Sequence, residues 1–474
     1  MVRQRVRLTL HVTGSILKYF ALAYILPLCA AIYYGEADRH IYLYSLLLTL
    51  GIGLILEFGF KTNKEVERTD GFSIAAFTWL LVPLFGMVPY MFLGLHPVDA
   101  LFESVSGFTT TGASVLQSVE ALPKSAILWR SITAWLGGMG VITLFIAVLP
   151  KLEVGGSQLI GREYSMPLPE RLRPSVRTTA RLLWSIYVGF TAAEIALLYF
   201  VANLSLFDSI NISFCTLPAC GFTPTTAGIG GYANPLAEYI IMAFMLAAGT
   251  NFLIHYHVLR GSFKVLKDEE FKLYWIFLAL GTALLILSQG LGSYRYGLFQ
   301  AISIMTGTGF ATADFASWHF GARMVLLALM FVGACGGSTG GGIKVIRTLI
   351  LLRHSRIMMT KILSPNAVIP VKYNQKSVSD GIIRDIISFV FLYFLIFMVA
   401  SITLGFLGLD VETAISAVAT CQANCGPGLG AVGPASNYLW LPIAAKILLA
   451  IVMWLGRLEI FTVVMMFFPR FWKG

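Results

Sequence analysis

The sequence predicts an all-α membrane protein: two N-terminal transmembrane helices, then four pseudo-repeated units of helix, re-entrant loop and helix. Three observations lead there. Hydrophobic residues make up 57% of the 474 and charged residues only 12%, where an ordinary soluble protein carries about 25% charged residues. Apolar runs of about 20 residues, the length needed to cross a bilayer, recur along the whole chain. Four shorter segments between those runs resemble one another.

The chain opens with Arg3, Arg5 and Arg7 and an apolar stretch from Leu8 to Tyr34. That stretch is too long for a signal-peptide core and lacks a small-residue cleavage site, so it reads as a retained first span. Further runs near 41–60, 71–94, 126–149, 182–202, 236–259, 273–291, 322–352, 386–408 and 438–468 bring the expected crossings to ten. An even number puts both termini on one side. A cytoplasmic N-terminus places most of the 34 basic residues inside, as the positive-inside tendency requires. The richest inner stretches are 150–181 and 344–384, while Arg39, Lys124, Arg130, Arg295 and Arg323 fall outside. The outer face carries acids instead, among them Glu36, Asp99, Glu103, Glu120, Asp208, Asp314, Asp410 and Glu412, a charge distribution that attracts cations.

The net charge of +10 does not indicate nucleic acid, because the basic residues punctuate apolar runs instead of forming a folded basic surface. The six cysteines sit in or beside apolar or Gly-rich stretches, which argues against a disulfide scaffold. Tyr33, Tyr34, Trp129, Trp318, Tyr438 and Trp472 lie near span ends and read as interfacial belt residues.

The repeat lies in the outer segments. Phe102-Glu-Ser-Val-Ser, Phe207-Asp-Ser-Ile-Asn, Phe299-Gln-Ala-Ile-Ser and Glu412-Thr-Ala-Ile-Ser each run into a glycine: Gly112, Gly221, Gly309 and Gly426. Each copy is bracketed by a span before and a span after. The chain therefore divides into 1–68, a transmembrane hairpin, and four pore units at 69–160, 161–268, 269–370 and 371–474. The short segments cannot cross, and irregular backbone at membrane depth survives only inside protein or along an aqueous cavity. Four such loops around one axis make a filter, whose chemistry is a ring of main-chain carbonyls replacing the water shell of a monovalent cation. Glycine permits the required dihedrals and leaves the path open. The residues expected to line it are Thr110, Thr111, Gly112, Ala219, Cys220, Gly221, Thr308, Gly309, Asn424, Cys425 and Gly426.

The eighth span is expected to be broken, since Gly333-Ala-Cys-Gly-Gly-Ser-Thr-Gly-Gly-Gly342 holds six glycines in ten positions and each weakens a helix by roughly 1 kcal/mol relative to Ala. A P-loop is excluded because Ile343 precedes Lys344 and Val345 follows it. In the last span Lys446 and Arg457 are three helical turns apart and share a face, and Glu459 is close enough to modulate Arg457. Glu57 and Glu194 read as packing or interfacial groups. His255 and His257 point to different helix faces, Cys421 and Cys425 lack ligand companions, and no nucleophile–base pair is evident, so neither a metal site nor an enzyme is expected.

These residues, above all Ser106-Gly-Phe-Thr-Thr-Thr-Gly112, Gly336-Gly-Ser-Thr-Gly-Gly-Gly-Ile-Lys344, Ala417-Val-Ala-Thr-Cys-Gln-Ala-Asn-Cys-Gly-Pro-Gly-Leu-Gly430 and Leu455-Gly-Arg-Leu-Glu-Ile-Phe461, resemble the Trk/Ktr/HKT potassium transporter superfamily, most closely its bacterial TrkH/TrkG branch. The resemblance covers essentially the whole chain. It implies a K⁺-channel-like fold in one polypeptide, a homodimer of two pores, and a cytosolic nucleotide-binding regulatory ring of the TrkA type. It further implies K⁺ as the transported ion with Rb⁺ tolerated, no organic cofactor, and a multi-pass protein of the bacterial inner membrane with both termini cytoplasmic. A serine at the first filter position accompanies Na⁺ transport in some plant relatives; here that position is Gly112. No loop carries a TVGYG signature, so K⁺ over Na⁺ discrimination should be weaker than in K⁺ channels. The resemblance also implies a movable intramembrane barrier made of Gly336, Gly337, Ser338, Thr339, Gly340, Gly341, Gly342 and Lys344, with Arg457 as its electrostatic latch. The rival reading is a symporter coupling K⁺ to H⁺ or Na⁺ at buried carboxylates.

Overall fold

The computed structural model describes residues 2–62, 70–148 and 176–473. Most of the basic stretch 150–181 and the expected unit boundaries near 68 and 160 lie outside these residues. The first span is α1 (Val2–Phe20), a 3-10 turn and α2 (Ile25–Tyr33), and α3 (Arg39–Gly59) returns beside it. Glycine sets their crossing: a Cβ on Gly14 would lie 2.6 Å from Glu57 N, and one on Gly53 2.8 Å from Lys18 N. Such small-residue contacts let membrane helices approach closely. Lys18 and Glu57 form an ion pair at 2.7 Å across the same contact.

Unit one comprises α4 (Asp70–Gly86), α5 (Val88–Phe92), the short α6 (Pro97–Phe108) and α7 (Lys124–Val148). Unit two comprises α8 (Val176–Phe200), short α9 (Leu206–Thr216), α10 (Pro235–Gly249) and α11 (Phe252–Leu259). Unit three comprises α12 (Glu269–Gln289), short α13 (Tyr294–Thr306), α14 (Phe320–Val332) and α15 (Val345–Leu363). A small hairpin, β1 (Lys372–Tyr373) and β2 (Lys376–Ser377), leads to unit four: α16 (Asp380–Phe406), short α17 (Val411–Ala423), α18 (Ile443–Arg457) and the terminal turns α19 (Phe461–Val464) and α20 (Pro469–Lys473).

Six helical stretches, Gln4–Tyr33, Arg39–Gly59, Asp70–Phe92, Ala180–Phe200, Glu269–Gln289 and Asp380–Phe406, are long and apolar enough to cross a membrane unaided. Their outer faces carry exposed large apolar residues, such as Leu280 and Leu287 on α12 and Phe391, Met398 and Phe406 on α16, as lipid-facing helices do.

Two expected crossings are not continuous. The run 236–259 bends by 103° between α10 and α11, and the run 438–468 bends by 107° after α18. At the first bend Thr250 is extended and the Asn251 side chain accepts from Leu253 N at 2.9 Å, starting a new helix. At the second, Glu459 and Ile460 both adopt left-handed φ, +56° and +52°. The eighth span is interrupted as expected, from Gly333 to Lys344.

Candidate functional site

All four short helices start at the same distance from their glycine. Pro97, Leu206, Tyr294 and Val411 each stand fifteen positions before Gly112, Gly221, Gly309 and Gly426. Each helix is followed by a residue with left-handed φ two positions before the glycine: Thr110 (+54°), Ala219 (+60°), Gly307 (+79°) and Asn424 (+53°). Its N–H donates three residues back, and the next N–H donates five residues back: Thr111 to Ser106 O, Cys220 to Cys215 O, Thr308 to Ser303 O and Cys425 to Thr420 O, at 2.8–2.9 Å. This left-handed cap satisfies helix C-terminal carbonyls and turns the chain across the end of the helix.

The register corrects the sequence alignment of the preludes. Phe102 and Phe299 are the sixth residues of their helices, whereas Phe207 and Glu412 are the second. The matches in units two and four therefore sit about one turn too early. Asp208 and Glu412 occupy first turns, where acids are favoured by the helix dipole, and that local preference imitated the repeat. Gly307 is the counterpart of Thr110, Ala219 and Asn424 and belongs with the expected lining residues.

The four turns close on one another. A Cβ on Gly112 would meet Gly221 N at 2.2 Å, one on Gly221 Thr308 O at 3.2 Å, one on Gly309 Cys425 O at 1.7 Å, and one on Gly426 Thr111 O at 2.6 Å. Unit one thus abuts two, two abuts three, three abuts four, and four abuts one. The open cavity above is lined by all four glycines. At three successive levels, 110/219/307/424, 111/220/308/425 and 112/221/309/426, no donor among the described residues reaches the main-chain carbonyls, with one exception. Gly426 O accepts from the Tyr438 hydroxyl at 3.0 Å. Buried carbonyls without donors are uncommon, so a stack of them needs water or a cation.

Side chains that brace this ring were missing from the sequence reading. Arg130 Nε donates to Glu103 at 2.8 Å, both side chains being buried, and the guanidinium also reaches Thr223 O at 3.2 Å and Ser114 Oγ at 3.3 Å. Tyr438 N donates to Ser114 O at 2.9 Å, so one buried network joins units four, one and two. Tyr438 is therefore no interfacial belt residue. Neither is Trp129, fully buried with its indole N–H on Gly86 O at 3.1 Å. Asn424 Nδ2 donates to the Thr111 hydroxyl at 2.9 Å and to Met453 O at 3.1 Å.

Directly beneath lies the loop from Gly333 to Lys344. A Cβ on Gly340 would be 2.2 Å from Thr306 O, and one on Gly341 1.8 Å from Ala423 O, so the loop presses on the ends of the short helices of units three and four. Thr339 Oγ1 lies 2.8 Å from Leu217 O and 3.2 Å from Ala248 O. Cys335 N donates to Gly249 O at 3.0 Å, and Phe252 N to Gly337 O at 3.1 Å. The carbonyls orphaned where α10 ends are thus satisfied by the loop, which accounts for the bend. Ser338 bonds locally to Cys335 O at 2.6 Å, Gly342 packs against Gly333, and Lys344 Nζ donates to Gly340 O.

Arg457 Nη1 donates to Thr339 O at 2.8 Å. The other charges expected near it are elsewhere. Glu459 pairs with Arg347 at 2.5 Å, and Lys446 pairs with Asp99 in the first turn of α6, also at 2.5 Å. The acid that neutralises Lys446 thus belongs to another unit. Beside the open cavity, Thr226 donates N–H and hydroxyl to Glu120, which holds that carboxylate down at about 2.

The sequence matches the family model for TrkH, described as a cation transport protein, over residues 43–291 and 275–473. A Trk system potassium uptake protein TrkH of Halomonas elongata is 36% identical, with 98% of this chain and 99% of that protein aligned. The Escherichia coli K12 proteins TrkH and TrkG are 34% and 35% identical, covering 98% and 100% of this chain and of each relative. The crystal structure of the potassium transporter TrkH from Vibrio parahaemolyticus superimposes with a TM-score of 0.89 at 31% identity, over 98% of this chain and 99% of that one.

Proposed function

Because this chain belongs to the TrkH family of cation transport proteins, we propose that it carries K⁺ into the cell down its electrochemical gradient, through a filter made by the four glycine turns. The observation that carries the proposal is the closed ring of turns whose stacked carbonyls, Gly426 O excepted, have no donors among the described residues. A dehydrating cation supplies the missing partner, and eleven of the twelve carbonyls stay open to it. Lining residues are Thr110, Thr111, Gly112, Ala219, Cys220, Gly221, Gly307, Thr308, Gly309, Asn424, Cys425 and Gly426. Fewer levels than a TVGYG filter imply modest K⁺ over Na⁺ selectivity, with Rb⁺ accepted.

The loop Gly336–Lys344 acts as the barrier, with Arg457 latching it through Thr339 O. The face carrying the hairpin Lys372–Ser377 and both termini is cytoplasmic in this reading, which includes a bacterial inner-membrane homodimer and a TrkA-type nucleotide-binding ring docked on that basic side. Rb⁺ and Na⁺ flux through proteoliposomes tests it: Gly112→Ser or Gly309→Ser should lower the Rb⁺ to Na⁺ ratio, and equal flux of the two ions through the unaltered protein would refute the filter.

One observation favours H⁺-coupled symport instead. Glu194 is fully buried, and neither of its carboxylate oxygens has a hydrogen-bond partner among the described residues. A reversal potential that tracks the proton gradient and loses that dependence in Glu194→Gln would establish coupling; one indifferent to the gradient supports the passive pore.

A further inference from the structure

We propose that Glu270 is the positioning residue of the intramembrane loop, and that through it the loop is tied to the hairpin Lys372–Ser377. The inference rests on reading the loop as the barrier.

Glu270 lies in the first turn of α12 and is buried. A single carboxylate oxygen, Oε1, accepts from Gly336 N at 2.6 Å and from Ile346 N at 3.1 Å. Gly336 opens the part of the loop that passes under the filter, and Ile346 is the second residue of α15 just after it. One oxygen therefore closes the neck through which the loop enters and leaves. Backbone N–H groups on a carboxylate are among the stronger hydrogen bonds available in a protein, and no other side chain among the described residues bonds both arms of this neck.

The two residues before Glu270 hold the hairpin. Asp268 accepts from the Tyr373 hydroxyl at 2.9 Å and from Asn374 Nδ2 at 2.6 Å. Glu269 accepts from Asn374 N at 2.7 Å and from Arg353 at 2.7 Å, and its own N–H donates to Asn374 Oδ1 at 3.1 Å. Asn374 and Gln375, at the tip, both adopt left-handed φ of +44° and +68°, a conformation Asn tolerates better than most residues. The tripeptide Asp268-Glu269-Glu270 is thus continuous backbone with the exposed hairpin on one side and the loop neck on the other. Displacing the hairpin pulls the α12 N-terminus and with it the oxygen that clamps the loop. Glu270 touches no lining residue of the ring, so its effect on transport is exerted by position.

The test uses the full-length protein in proteoliposomes with Rb⁺ as the probe, alongside amide hydrogen exchange across 336–346. Glu270→Ala should raise Rb⁺ flux at least about threefold, within the range typical of coupling mutations, and speed exchange of the Gly336 and Ile346 amides. Glu270→Gln keeps an oxygen in the same place and should restore both to near the unaltered values. Asn374→Ala, on the exposed hairpin and remote from the core, should move both in the same direction by less. The double variant Glu270→Ala, Asn374→Ala should conduct no faster than Glu270→Ala alone. Unchanged exchange in Glu270→Ala overturns the positioning role whatever the flux. Flux that is unchanged or lower in Glu270→Ala, while a variant with a shortened loop conducts faster, overturns the inference and leaves the barrier intact. If shortening the loop changes nothing, the barrier reading itself fails and the coupling falls with it.

Discussion

Units one and three share a plan and differ in what their second helix does under the ring. Gly137 is the fourteenth residue of α7, and Gly333, at the same offset from the start of α14, is the residue that follows that helix's last. In unit one the helix continues through it: a Cβ there would lie 2.2 Å from Phe108 O, so the glycine admits the end of the short helix. In unit three the helix stops: Gly333 has φ +69° and starts the loop. The ring support differs in the same way. Glu103 and Arg130 in unit one are replaced at the corresponding helix positions by Gln300 and Leu326 in unit three. Gln300 finds neutral partners alone: its amide nitrogen donates to Phe310 O at 3.3 Å and its oxygen accepts from Thr312 N at 2.8 Å. Unit one is held by a buried ion pair; unit three supplies the interrupted span proposed above as the barrier. A glycine in a span is therefore not by itself a break: neighbouring backbone fills the space beside both, and what differs is the local dihedral, helical at Gly137 and left-handed at Gly333.

The largest effect expected from this contrast is at the ion pair. Arg130→Ala strands a buried carboxylate and should cost about 3–5 kcal/mol, whereas Gln300→Ala should cost only about 1 kcal/mol; thermal midpoints in detergent measure both, and equal losses would erase the distinction. Next comes the paired glycine. Gly137→Ala forces a Cβ into the Phe108 carbonyl at the end of a short helix and should cost up to about 3 kcal/mol with loss of folded yield, while Gly333→Ala forces a Cβ only against Gly341 and Gly342 of the loop itself, and should displace the loop and raise Rb⁺ flux. A smaller change follows at Thr339. Thr339→Val removes the hydroxyl shared between Leu217 O and Ala248 O, worth about 1–2 kcal/mol, and should raise Rb⁺ flux roughly fivefold or more. Flux that stays level would mean the loop is held elsewhere.

The smallest effect lies at the outer seam between units one and two. Because the folded protein lowers the Glu120 pKa to about 2, the Thr226 contact stabilises the protein above the unfolded carboxylate range near pH 4.5 and loses that contribution as pH falls toward 2. Thr226→Val should flatten that part of the stability profile between pH 5 and 2, and an unchanged profile would assign the acid sensitivity to other carboxylates.

The membrane class, six of the ten expected spans, the four glycine turns and the interrupted eighth span were legible in the sequence because each is a local signal: apolar length, a short polar-flanked helix, a cluster of glycines. The bends after Gly249 and Arg457 were partly legible. Gly249-Thr-Asn251 places a helix-capping Asn inside an apolar run, a start signal that could have flagged the first; Glu459 and Ile460 carry no comparable mark. The preludes misled because first-turn acids recur at helix starts for reasons unrelated to the ring.

By itself the sequence determined what must be buried in lipid and where the backbone would turn, since hydropathy and glycine conformational freedom act within a few residues of chain. Tertiary structure alone decided that the four turns meet edge to edge, that Lys446 answers Asp99 across the molecule, and that α10 bends to give its last carbonyls to a loop some 85 residues further on. Those outcomes depend on which unpaired polar groups come within about 3 Å of each other once the helices pack, and that is a property of the assembled units.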